Sequence, residues 1–148
     1  MKKYFIPVAV GCILLSACSK DDDVVAPTPE EPVSRTVSFR IFQGKDYSSP
    51  FYKDVNAEVK LALLKSDLST RSLKLVWDTT ISMRSILAYP SLEKPMEIIK
   101  TVDGVLASKE FVHFSFNRIY KVNNQISTNG LGQGLESGVR EKQVDVAL

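Results

Sequence analysis

The chain has 148 residues, 24% charged and 44% apolar, with a formal charge of +2. That composition is globular, and the length suits a single domain behind an N-terminal segment. A charge so near zero, with no Lys/Arg cluster interleaved with aromatics, argues against nucleic acid as a partner.

The chain opens on a positive Met1-Lys2-Lys3, followed by an apolar run from Tyr4 to Leu15 broken only by Pro7 and Gly11. About a dozen apolar residues fall short of the roughly 20 that span a bilayer as a helix. Small residues Ser16 and Ala17 then precede Cys18, completing the three-part layout of a secretory signal. The stretch Leu15-Ser16-Ala17-Cys18 resembles the lipobox of bacterial lipoproteins. That resemblance implies cleavage between Ala17 and Cys18, a lipid on the Cys18 sulfur, and a membrane as the first partner. Two or more acyl chains would make the anchoring effectively permanent, since each buried methylene contributes about 0.8 kcal/mol. The alternatives are a signal cut elsewhere and a retained transmembrane anchor, the latter opposed by the short apolar run. Cys12 would leave with the leader and Cys18 would be consumed, so the folded part has no disulfide to draw on.

Immediately after the cysteine, Ser19 leads into Lys20-Asp21-Asp22-Asp23. This run resembles the acidic export signal of Bacteroidota lipoproteins, which implies the outer face of the outer membrane. The competing expectation is a periplasmic domain whose acids form a soluble linker. Pro27, Pro29 and Pro32 alternate with Thr28, Glu30 and Glu31, a composition with too little apolar surface to offset chain entropy. The expected organisation is therefore a signal peptide over 1–17, a lipidated, flexible tether over 18–35, and one domain over 36–148. Without Lys2 and Lys3 the 19 basic residues fall to 17, equal to the 17 acids. Residues 19–33 carry a net −4, leaving +4 on residues 34–148.

Within the domain the dominant signal is alternation. Val37, Phe39 and Ile41 share one parity, as do Val59, Leu61 and Leu63. Leu73, Leu75 and Trp77 are expected to continue into Ile81 and Met83 on a single apolar face. Val112, Phe114 and Phe116 form a fourth set, and Val144, Val146 and Leu148 close the chain. A period of two over four to eight residues predicts half-buried strands. Ala57–Lys65 has helix-favouring residues, but its strict alternation predicts a strand. Turns are expected at 44–50, 66–70, 90–95, Asp103-Gly104 and Asn123-Asn124. About six to eight short strands without a long helical pattern predict an all-β fold, a single antiparallel β-sandwich. The run Asp54–Leu61 resembles the second strand of transthyretin-like domains, and an immunoglobulin-like topology fits equally well.

Candidate chemistry is sparse. His113 is the sole histidine, and its neighbours on the strand face, Phe111 and Ser115, supply no acid to orient it, so no catalytic triad is expected. One histidine and no free cysteine predict no metal site, and no cofactor is expected. Asp54, Glu58, Asp78, Glu110 and Asp145 are scattered, with no basis for a two-carboxylate pair. Asn129–Gly138 lacks the Lys-Ser/Thr ending of a P-loop and is expected to be a long flexible loop. The binding candidates are Tyr47, Phe51 and Tyr52, whose rings suit a sugar or a protein partner. The functional expectation is a non-enzymatic envelope lipoprotein that binds an envelope protein or supports a complex. A glycan-binding accessory of a nutrient-uptake system is the alternative, followed by a small hydrolase or a protease inhibitor.

Overall fold

Val37, Phe39 and Ile41 are completely buried while Ser38 and Arg40 between them are half-exposed, so the first strand buries the face its alternation predicts. A computed structural model describes residues 29–148. Seven strands run through these residues: β1 (Val33–Phe42), β2 (Val55–Asp67), β3 (Ser72–Ser85), β4 (Met96–Val105), β5 (Glu110–Val122), β6 (Gln125–Gly134) and β7 (Glu141–Ala147). Two 3-10 turns, Pro50–Tyr52 and Ile86–Ala88, lie in the connections. β1 begins ahead of the expected boundary at Thr36, and Glu30 is already tied to the amide and hydroxyl of Ser108.

The strands form an all-β sandwich. One sheet has the order β4-β1-β7 and the other β3-β2-β5-β6. Every pairing is antiparallel except β1 with β7, which runs parallel from Thr36/Glu141 to Phe42/Ala147. The immunoglobulin constant arrangement puts its first, second, fourth and fifth strands in one sheet. Here the first and fourth are separated from the second and fifth. The stretch Asp54–Leu61 does lead into the second strand of the chain.

Side-chain contacts show how the layers stack. Lys100 of β4 lies 5.4 Å from the ring of Trp77 on β3. Phe39 of β1 meets Trp77 at 6.2 Å and Phe114 of β5 at 6.4 Å. Arg118 of β5 donates to the Ala147 carbonyl of β7. Three strands thus cover three of the four opposite, and among the described residues the inner side chains of β6 are exposed.

Three local departures from regular pairing matter. Leu63 faces Trp77 but Leu64 faces Leu75, so Val76 is an extra residue and the strand changes parity there. Leu73 and Leu75, expected on the buried face, therefore point outward and are 62% and 53% exposed. A second shift between Ala57 and Val59 turns Met83 out and Arg84 in. The Asp103-Gly104 dipeptide is not a hairpin turn. It lies inside β4, with Gly104 at φ +67 where the register against β1 slips. The expected flexible loop over Asn129–Gly138 is also corrected. Asn129–Gly134 belongs to β6 and is paired with β5 from Gln125 to Gly134 without a slip. Gly130 is required by close approach: a Cβ there would lie 2.8 Å from the Phe116 carbonyl oxygen, beneath Asn117. Among the glycines of that segment only Gly138 has a positive φ.

Candidate functional site

The far end of β1 leads into a loop that is fastened at both sides. Gln43 N–H donates to the Pro90 carbonyl at 2.8 Å, and Gly44 N–H to the Leu148 carbonyl at 2.8 Å. Leu148 N–H returns a bond to the Phe42 carbonyl at 2.9 Å. A Cβ on Gly44 would meet the Ala147 Cβ and the Leu148 oxygen at 2.9 Å, so this position admits no side chain without movement.

Beyond Gly44 the loop is built by short-range bonds. The Asp46 carboxylate accepts from Ser48 N–H at 2.8 Å and from its hydroxyl at 3.0 Å. Those two bonds hold its pKa below the ordinary aspartate value. Ser49 caps the 3-10 turn, with Pro50 presetting the first position and Tyr52 N–H bonding the Ser49 carbonyl at 3.0 Å. The result is a rigid knob. Phe51 projects from it 78% exposed.

Of the three aromatic candidates, the structure brings together all three but gives them different settings. Tyr47 is only 5% exposed and belongs to the core, so it closes the end of the sandwich rather than presenting a surface. Its ring meets Tyr52 edge-on at 4.9 Å, and Phe51 meets Tyr52 edge-on at 5.3 Å. Lys45 donates to the Tyr52 hydroxyl at 3.1 Å and lies 4.7 Å and 5.3 Å from the Tyr52 and Tyr47 ring centres. The Tyr52 hydroxyl bond is the main reason that the Lys45 pKa is raised, and it keeps the ammonium charged. Burial raises the Tyr47 pKa, with Tyr120 adding to it.

Four residues behind this knob were not among the candidates. Arg118 and Tyr120 occupy the core parity of β5, after Val112, Phe114 and Phe116. Arg84 stacks at 4.2 Å on Tyr89, whose hydroxyl donates to the Ala57 carbonyl at 2.9 Å. Arg84 and Tyr120 flank Ala57 in one cross-strand row. Burial raises the Tyr89 pKa, opposed by the nearby Arg84 guanidinium. Among the described residues the Arg84 Nε and Nη2 and the Arg118 Nε are buried without a hydrogen-bond partner, so ring faces supply part of their stabilisation. Four tyrosines and three cations thus gather at one end. Arg118 and Tyr120 were legible in the alternation of β5, whereas Arg84 turns inward only because of the register shift.

His113 stands on the outer face of the four-stranded sheet. Its Nε2 is 2.8 Å from the Ser66 hydroxyl, on the neighbouring strand, and not paired with Ser115. Of the five acids named, Glu110 pairs with Lys65 at 3.0 Å, Asp145 with Arg40 at 3.7 Å and Glu58 with Lys60 at 3.4 Å. Among the described residues no three His, Cys, Asp or Glu side chains group to hold a metal. No described helix is long and apolar enough to cross a membrane. Ala17, Cys18, Lys20, Asp21, Asp22 and Asp23 lie outside the described residues.

No family model matches the chain, and no similar curated protein or solved structure was found.

Proposed function

We propose that this chain is a lipid-anchored outer-membrane lipoprotein whose domain is a non-enzymatic binding module, held by Cys18 and contacting its partner through Phe51. The observation that carries the binding reading is the setting of Phe51, 78% exposed on a capped, proline-started turn. An exposed aromatic on a rigid support offers contact area at low entropic cost. Direction supports it too. The chain enters β1 at Val33, and the knob follows the opposite end of that strand.

A glycan ligand is the second reading, favoured by Lys45. Its ammonium sits among the aromatic rings at the exposed end of the loop. A flat sugar face on Phe51 with a hydroxyl or carboxylate toward Lys45 fits that arrangement.

Three experiments test these readings. Metabolic labelling with a palmitate analogue should mark the wild type and not Cys18→Ala; equal labelling would refute the anchor assignment. Binding of the purified protein to outer-membrane fractions and to acidic and neutral polysaccharides should fall at least tenfold in Phe51→Ala. Unchanged binding would move the contact elsewhere, and turnover of any polysaccharide would replace the binding reading with a hydrolase. Surface labelling of intact cells then distinguishes the outer face from the periplasmic one. Loss of labelling in a variant with Asp21, Asp22 and Asp23 all alanine would assign the export role to that run.

A further inference from the structure

Exposed strand edges are aggregation templates, and proteins blunt them with charges, prolines, bulges or short length. Three of the four edges here follow that rule. β3 carries Lys74, Asp78 and Arg84 and two register shifts. β4 follows Pro95, carries Glu97, Lys100 and Asp103, and is kinked at Gly104. β7 has seven residues, with Glu141, Lys142 and Asp145 among them. β6 has none of these devices. Its ten residues contain no charge and no proline, and its ladder to β5 is unbroken. The uncharged stretch extends from Val122 to Leu135.

The strand is also self-complementary. Residues paired across antiparallel strands share a face. A two-fold axis through Gly130, normal to the sheet, therefore sets Thr128 against Gly132 and Ile126 against Gly134 of a second copy. On the other face it sets Leu131 against Asn129 and Ser127 against Gln133. Each larger outer side chain meets a glycine, and no like charges oppose, as they would in any self-pairing of β7 across Lys142 or Asp145. On its inner face β6 presents one apolar side chain, Leu131, which is left 49% exposed among polar neighbours.

We infer that β6 is a homodimerisation edge, across which two copies of this chain pair antiparallel into one eight-stranded sheet. A second copy is favoured over a foreign strand because the pattern of glycines complements its own large residues about a single centre.

Native mass spectrometry of the full chain released from detergent tests this. The wild type should appear at twice the protomer mass. Leu131→Lys, which places a charge on the edge at an exposed site, should reduce the dimer at least tenfold with an unchanged thermal melt. Val76→Lys on the opposite edge should leave the dimer intact. If Leu131→Lys fails to fold, Thr128→Lys on the other face serves the same purpose. A monomeric wild type, or a dimer that survives both β6 lysines, overturns the proposal. So does a monomer whose β6 amides become protected from exchange only in native envelopes, which would assign the edge to a foreign strand.

Discussion

Replacing Tyr47 with alanine removes a ring that is 5% exposed and packed on Tyr52. The expected loss is about 3–5 kcal/mol, the range for truncating a buried aromatic, read as a lower urea midpoint. Phe51→Ala, four residues on, should change stability by no more than about 0.5 kcal/mol, as exposed substitutions do, while binding falls. The two neighbours thus separate structure from recognition within one loop. A result in which both variants lose stability equally would make Phe51 part of the fold. From sequence the three aromatics form one undivided candidate, because a loop has no periodicity to tell inward from outward. What separates them is the Lys45 and Asp46 bonding that fixes the turn, which no residue pattern announces.

At the scale of the element, the strands with uninterrupted alternation are the ones the sequence predicts well. β1, β2 and the first half of β5 bury the residues their parity indicates. β3 defeats that reasoning, since one extra residue at Val76 reverses every side chain before it. A bulge is a property of two strands in register, and a single strand's pattern does not contain it. β6 fails for a different reason. Glycines at Gly130, Gly132 and Gly134 suggest a flexible loop, yet pairing with β5 overrides local propensity. Gly130→Ala tests the point. Its Cβ would press on the Phe116 carbonyl and the Asn117 side chain, so we expect a loss of about 1–3 kcal/mol. A loop glycine would tolerate the change with almost no shift in melting temperature.

For the molecule as a whole, four carboxylates have pKa values lowered by folding: Glu30 through the Ser108 hydroxyl, Asp46 through Ser48, Asp67 through Ser69, and Glu110 through the Leu106 amide. A lowered carboxylate contributes stability above its unfolded pKa, near 4, and loses it as pH falls through the folded value. The urea midpoint should be flat from about pH 5 to about pH 8 and fall below about pH 4. Asp67→Asn should lower the neutral plateau slightly and flatten the acid limb; an unchanged limb would discount that side chain. Screening at these exposed sites keeps each contribution small. The parallel pairing of β1 with β7 has a mechanical consequence. β1 is the middle strand of its sheet, bonded to β4 on one side and β7 on the other. The chain before Val33 joins one end of it and the Phe51 knob follows the other. A pull between the chain before Val33 and the knob would therefore load the covalent backbone of β1 lengthwise, while the ladders to β4 and β7 hold that strand straight on both sides.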